Sequence, residues 1–241
     1  DAKGALREKI LRRFSGRFSK PLHWQEKLEE WTKENVNLSW EEDKHSAELL
    51  ELWRLSMPGR EAPGRKDKAW AEIGFQQQDP ASDFRGAGML ALKELLYFAR
   101  DQTDLYCKML ERSKGATPQD EYPFACGGIN VCFMLLDMMQ LLQLKGAAGE
   151  SSAKVNERYK NKRAASCRRA FGSLLLTFPD AFSHLFVAAF QVLDQEWMRS
   201  SRTYMGFKEV LTSTRIRVRA GLRDPYAKTP QEIAKVMLAQ A

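Results

Sequence analysis

The stretch GFQQQDPASDFRGAGMLALKELLYFARDQTDLYCKMLER, Gly74 to Arg112, changes character half way along. From Met89 the apolar residues fall at helical spacing, through Leu92, Leu95 or Leu96, Ala99, Tyr106, Met109 and Leu110, and predict one long, half-buried helix. Ahead of it, Gly74, Pro80, Gly86 and Gly88 dictate a particular backbone path, with Asp83 placed to cap the helix and Phe84 to anchor the turn in the core. Arg85 then falls in the expected first turn, where unpaired N–H groups carry partial positive charge and a cation loses roughly 0.3–1 kcal/mol. Two readings of Arg85 stand. One is a surface residue paired to Asp79 or Asp83; the other is an arginine held at the lip of a helix for insertion into a partner's phosphate site, with glycines that let another backbone approach.

Helical signals continue on both sides of this stretch. Leu6, Ile10, Phe14 and Phe18 recur four apart among seven basic residues between Lys3 and Lys20, which reads as an amphipathic helix packed on the body or, alternatively, lying on an anionic membrane. A short helix with Trp24, Leu28 and Trp31 on one face follows, and Ser39 with Glu42 resembles a capping box for a helix to about Ser56. MPGREAPGRK, Met57 to Lys66, is a loop, and Asp67 caps a turn containing Trp70. Pro123 opens a helix expected over residues 124–145, whose polar interruptions at Asn130, Asp137, Gln140 and Gln143 make it a core helix and not a membrane span. Residues 146–163 read as an exposed connection; helices are expected over 165–178, 179–200 and 204–222. Thr229, Pro230 and Glu232 then start a last one. No run alternates long enough to demand a strand, so the expected fold is all-α, a single irregular multi-helix bundle with an N-terminal helical arm.

Composition sets outer limits on function. Thirty-eight Lys and Arg against 31 Asp and Glu give a net charge of +7, which favours acidic partners without choosing among them. There is no phosphate-cradling Gly-x-x-x-x-Gly-Lys-Ser/Thr, so a nucleotide site within the chain is not expected. His23, His45 and His184 are scattered, and Cys107, Cys126, Cys132 and Cys167 form no Cys-x-x-Cys pair; neither a metal site nor a disulfide framework is signalled. Free thiols fit a reducing cytoplasm, and the sequence from Asp1 shows no signal peptide, as an excised fragment would not. The basic run from Lys154 to Arg169 has only Tyr159 for stacking, which argues against nucleic acid and leaves a solvated loop or attraction to anionic membrane.

The segment WAEIGFQQQDPASDFRGAGMLALKELLYF, Trp70 to Phe98, resembles the signature of the ELMO (engulfment and cell motility) domain. Its pattern is a tryptophan, three residues, Gly-Phe-Gln, then Asp-Pro, a threonine, Asp-Phe-Arg-Gly, a glycine and Leu-x-x-Leu-x-Tyr-Phe. Similarity resumes at Phe182 to Arg215, so it covers most of residues 45–220. The resemblance implies an N-terminal arm over 1–44, an ELMO domain over 45–222 and a packed C-terminal helix over 223–241. It also implies the subgroup that activates GTP hydrolysis by Arf and Arf-like small GTPases, with Arg85 as the catalytic arginine; the related engulfment scaffolds, partners of Dock-type exchange factors, lack it. Gly74, Phe75, Gln76, Asp79, Pro80, Asp83, Phe84, Gly86 and Gly88 would position the loop against the GTPase. No cofactor of its own is implied, since the partner holds GTP and Mg²⁺. A cytoplasmic location follows, with internal membranes or the cilium as places of peripheral attachment. Gln77 where glycine is frequent, Ser82 for threonine and Ala91 for glycine depart from the pattern and bear on partner choice.

Overall fold

A computed structural model describes residues 23–115, 117, 120–143, 162–200 and 206–239. The amphipathic segment read at Leu6 to Phe18 and the connection 146–161 lie outside them. The helices are α1 (His23–Asn35), α2 (Glu42–Ser56), α3 (Leu90–Asp101), α4 (Thr103–Ser113), α5 (Phe124–Met138), α6 (Lys162–Leu175), α7 (Ala181–Arg199), α8 (Phe207–Leu222) and α9 (Pro230–Ala239). Three 3₁₀ turns join them, Lys68–Ile73, Pro80–Arg85 and Leu141–Gln143. No strand occurs among the described residues, and the fold is all-α.

Two helices form the centre because their sequences are apolar nearly all round. In α5 only Asn130, Phe133 and Asp137 escape burial; α7 buries Phe182, Phe186, Phe190 and Trp197 along its length. Around them pack α3, α4, α6, α8 and α9, and α2 covers α3. Helix α1, assigned to the arm by the sequence, lies on α6, with Trp31 meeting Phe171 edge-on at 5.0 Å and Phe182 at 4.9 Å.

Several local expectations are corrected. The long helix after Met89 is two, because Gln102 leaves helical geometry at φ −133°, and Thr103 turns its hydroxyl onto the Ala99 and Arg100 carbonyls. Helix α5 stops at Met138, where Gln140 takes φ +57°. The Ser39 capping box does not form: Glu42 instead accepts from the Trp40 indole at 2.8 Å, and the Glu41 N–H is taken by His45 Nδ1 at 2.7 Å. Two other caps stand as read; Asp67 accepts from the Ala69 N–H at 2.9 Å. Thr229 and Glu232 bond reciprocally at 3.2 and 3.0 Å.

One charge is out of place in this core. Glu94 of α3 is 1% exposed; Ser183 of α7 is the polar side chain that favours its ionised form, yet Oε2 has no hydrogen-bond partner. Burial pushes its pKa from 4.5 up to about 7, against the weaker opposing pull of Ser183 and Lys93; the Cys132 thiol and Tyr97 hydroxyl feel the same carboxyl. The native state therefore holds a proton that the unfolded chain releases, so stability is full below about pH 4.5 and falls as pH rises through 7. Urea denaturation across that window is expected to show a loss of about 3 kcal/mol in the wild type, absent in Glu94→Gln. Equal pH slopes in the two proteins would contradict this assignment.

Candidate functional site

The residues from Gly74 to Gly88 fold as a stapled turn on the core. Gly74 ends the Lys68–Ile73 turn at φ +86°, and its carbonyl accepts from the Cys126 N–H at 3.0 Å, one of the unpaired donors at the start of α5. A Cβ there would lie 2.1 Å from the Phe124 nitrogen, so no other residue fits. Phe75 is thereby driven inward, where a chain of edge-on rings runs from Trp53 through Trp70 and Phe75 to Phe84 at 5.5, 5.9 and 5.7 Å. The two indoles are held in turn by the glycine-rich loop, Trp53 on the Glu61 carbonyl and Trp70 on that of Gly64, both at 3.0 Å.

Polar groups close the outer side. Asp79 caps the Pro80–Arg85 turn through the Ala81 N–H at 3.2 Å, with Pro80 buried at its first position. Asp83 accepts from the Gln76 and Gln77 N–H groups at 3.0 and 3.2 Å, reaching back along the loop. It is not the cap of α3, which starts only at Leu90. Gln76 enters through its backbone N–H and its side chain is exposed.

Arg85 is accordingly not in the first turn of a long helix. It ends the short 3₁₀ turn, and its Nε donates to the Ser82 carbonyl at 2.8 Å, where a helix end is partly negative. Neither Asp79 nor Asp83 pairs with it: Asp79 is taken by Arg65 at 3.0 Å, Asp83 by backbone. The Arg85 side chain is exposed, and its Nη groups have no partner among the described residues. Phe84, 2% exposed, anchors the turn beneath it. Gly88, at φ +67°, approaches Leu38 of its own chain, with a Cβ position 3.1 Å from that carbonyl; Gly86 is exposed in ordinary helical geometry.

Arg85 lines one of two clefts beside this turn. One, of about 350 Å³, is lined by Ser39, Trp40, Ala81, Phe84, Arg85 and Met89 among others; the second, of about 290 Å³, by Gln76, Asp83, Gly86, Ile129, Asn130 and Phe133, with Cys126 at its floor. Burial first, then the Asp83 carboxylate, push the Cys126 thiol up to about 12, so it is no nucleophile. No group of three His, Cys, Asp or Glu side chains among the described residues could hold a metal ion.

Sequence reasoning missed Arg65. It stacks on Trp40 at 4.4 Å and pairs with both Glu42 and Asp79, tying the turn to α2; with Trp40 and Ser46 it holds the Glu42 carboxyl down at about 2. Nothing local marks it, since its partners lie 23 and 14 residues away. Phe133, 40% exposed on an otherwise buried helix, was equally silent; its position among apolar neighbours reads as core.

The charged acceptor on two adjacent amides makes the turn rigid, at about 1.5–3 kcal/mol for such bonds. Asp83→Ala is expected to raise hydrogen exchange of the Gln76 and Gln77 amides at least about tenfold while leaving α5 and α7 protected. Unchanged exchange at both amides would contradict the staple.

Comparison with known proteins gives a consistent picture. The profile of the ELMO/CED-12 family matches residues 26–211. ELMO domain-containing protein A of Dictyostelium discoideum is 29% identical over 76% of the chain, and human ELMO domain-containing protein 2 is 40% identical over 42% of it. Mouse ELMO domain-containing protein 1 is 35% identical over 40%. These matches span 19%, 34% and 34% of the respective relatives. No helix among the described residues is long and apolar enough to cross a membrane. The all-helical fold, the stapled turn and the extent of the match together make this chain a member of the ELMO/CED-12 family.

Proposed function

We propose that the chain activates GTP hydrolysis on an Arf or Arf-like small GTPase by inserting Arg85 into the partner's active site. The observation that carries this reading is the state of the guanidinium: Nε is fixed on the Ser82 carbonyl, while the side chain is exposed and its Nη groups have no partner among the described residues. A side chain so held is oriented before it meets its partner, and less ordering entropy is lost on binding. The planar fork then donates to the phosphate oxygens on which charge builds as the γ-phosphoryl group passes to water, an effect of about 10³–10⁵ in rate. GTP, Mg²⁺ and the water-orienting group belong to the GTPase. In this reading the residues around Arg85 are positioning residues: Asp83 and Asp79 fix the turn, and Phe84 sets its depth.

The reading is supported further by what the turn avoids. An ion pair with Asp79 or Asp83 would have to be broken before each insertion; Arg65 and two backbone amides occupy those carboxylates instead. Single-turnover GTP hydrolysis by Arf and Arf-like proteins is expected to accelerate with the wild type. Arg85→Ala should lose about 10³ of that, and Arg85→Lys nearly as much, since lysine lacks the fork. Equal acceleration by all three proteins would refute the finger. Binding without acceleration on every GTPase tried would make the chain a non-catalytic adaptor for a small GTPase or a Dock-type exchange factor.

A further inference from the structure

Arg215 and Arg219 of α8 and Arg223, the residue that caps its C-terminal end, recur every four residues and so continue one stripe. Arg217 is spent elsewhere: it is buried, paired with Glu196 at 2.6 Å and bonded to the Met237 carbonyl, where it fastens α9. Like charges one turn apart repel, so a stripe of this kind calls for anions. Arg215 has one, Asp137 near the end of α5. Arg219 and Arg223 have none among the described residues. Asp224, next in sequence, turns its carboxylate to the Tyr226 and Ala227 N–H groups at 2.8 and 3.0 Å.

These two cations lie on the side of α8 that faces α6, whose Arg168 is already engaged. Arg168 of α6 is 7% exposed and bonded to the Met139 carbonyl at 3.1 Å and the Gln140 side chain at 2.8 Å. Helices α6 and α8 pack together, and the fields of Arg219, Arg223 and Arg168 all reach the buried Cys167 between them. Burial keeps that thiol protonated, so it neutralises nothing. The Nε of Arg219 is itself buried and has no acceptor. An unpartnered guanidinium nitrogen is costly to bury, and here it lies one helical turn from Arg223, which likewise has no carboxylate among the described residues.

We propose that the α6–α8 junction is an anion site for a phosphate monoester, with Arg219 and Arg223 as its ligands. A phosphate monoester matches this set better than a carboxylate. Its two charges answer two unpaired guanidiniums, and its three terminal oxygens can accept from forks on successive helical turns. The site is independent of Arg85 and of the reading given to it. The same chemistry is carried by a soluble phosphorylated metabolite and by a phosphorylated inositol lipid headgroup, and the experiment separates them.

Calorimetric titration with inorganic pyrophosphate and with inositol trisphosphate forms one arm. Co-sedimentation with phosphatidylcholine vesicles holding a few per cent phosphatidylinositol 4-phosphate, against phosphatidylserine vesicles of equal charge, forms the other. Arg219→Gln and Arg223→Gln are each expected to weaken binding about tenfold, with Arg215→Gln, the same charge change at a paired arginine, altering it less than about twofold. Circular dichroism checks that each variant is folded, and the exposed Arg223 serves where Arg219→Gln is not. Binding of pyrophosphate in solution assigns the site to a free phosphate compound; binding of inositol trisphosphate and of the inositol lipid vesicles without pyrophosphate assigns it to a headgroup. Failure to bind any probe, or equal losses in all three variants, overturns the proposal.

Discussion

The stapled turn hangs on a contact between two backbones. Helix α5 begins in the core, where its unpaired N–H groups have no water to meet, and the Gly74 carbonyl satisfies the one at Cys126. That bond requires the chain to pass so near Phe124 that a Cβ has no room, and it requires a left-handed residue at the point of passage. Both conditions select glycine. Once Gly74 is placed, Phe75 must point inward and the next two amides must point out, toward Asp83. The loop geometry is thus a consequence of a buried helix end needing an acceptor.

The apparent misplacement of Arg85 resolves on the same ground. A cation in the first turn of a long helix opposes the helix dipole; a cation on the last carbonyls of a short 3₁₀ turn is favoured by it. Gly86 to Met89 separate the two elements, with Gly88 turning the chain past Leu38 before α3 begins. What reads as an energetic cost in the sequence is, in the folded chain, a modest gain. The arginine is stabilised locally and still leaves its terminal nitrogens free.

Much of this was legible from residue order alone, for a physical reason. Helix periodicity, Asp67 as a cap and the Thr229–Glu232 box depend on neighbours within four positions, and sequence records those directly. The break at Gln102 was not legible, because Leu92 to Leu110 keep one apolar period across it, and the separation of Arg85 from α3 was not, because no side chain at Gly86 to Gly88 marks where that helix starts. Ser39 and Glu42 have the right spacing for a capping box, yet the Trp40 indole and Arg65 claim the glutamate first. Arg65 and Phe133 show the general limit. Their roles are set by residues brought together by tertiary packing, and such pairs leave no period in the sequence.

Helix α5 connects the two arginine clusters, and its burial decides how they can influence each other. Its first turn takes the Gly74 carbonyl; at its far end Asp137 holds Arg215 and the carbonyl of Met139, just past it, holds Arg168. Those points lie roughly 15–20 Å apart along a helix axis, beyond the screening length of about 8 Å at physiological salt. An anion beside Arg219 therefore has little direct electrostatic effect on Arg85. Mechanical coupling would need α5 to shift as a body, and α3, α7 and α8 enclose it at the packing density of a protein interior, which resists small displacements. Binding at one end can thus fix where the molecule resides without altering the geometry that the other end offers to a partner.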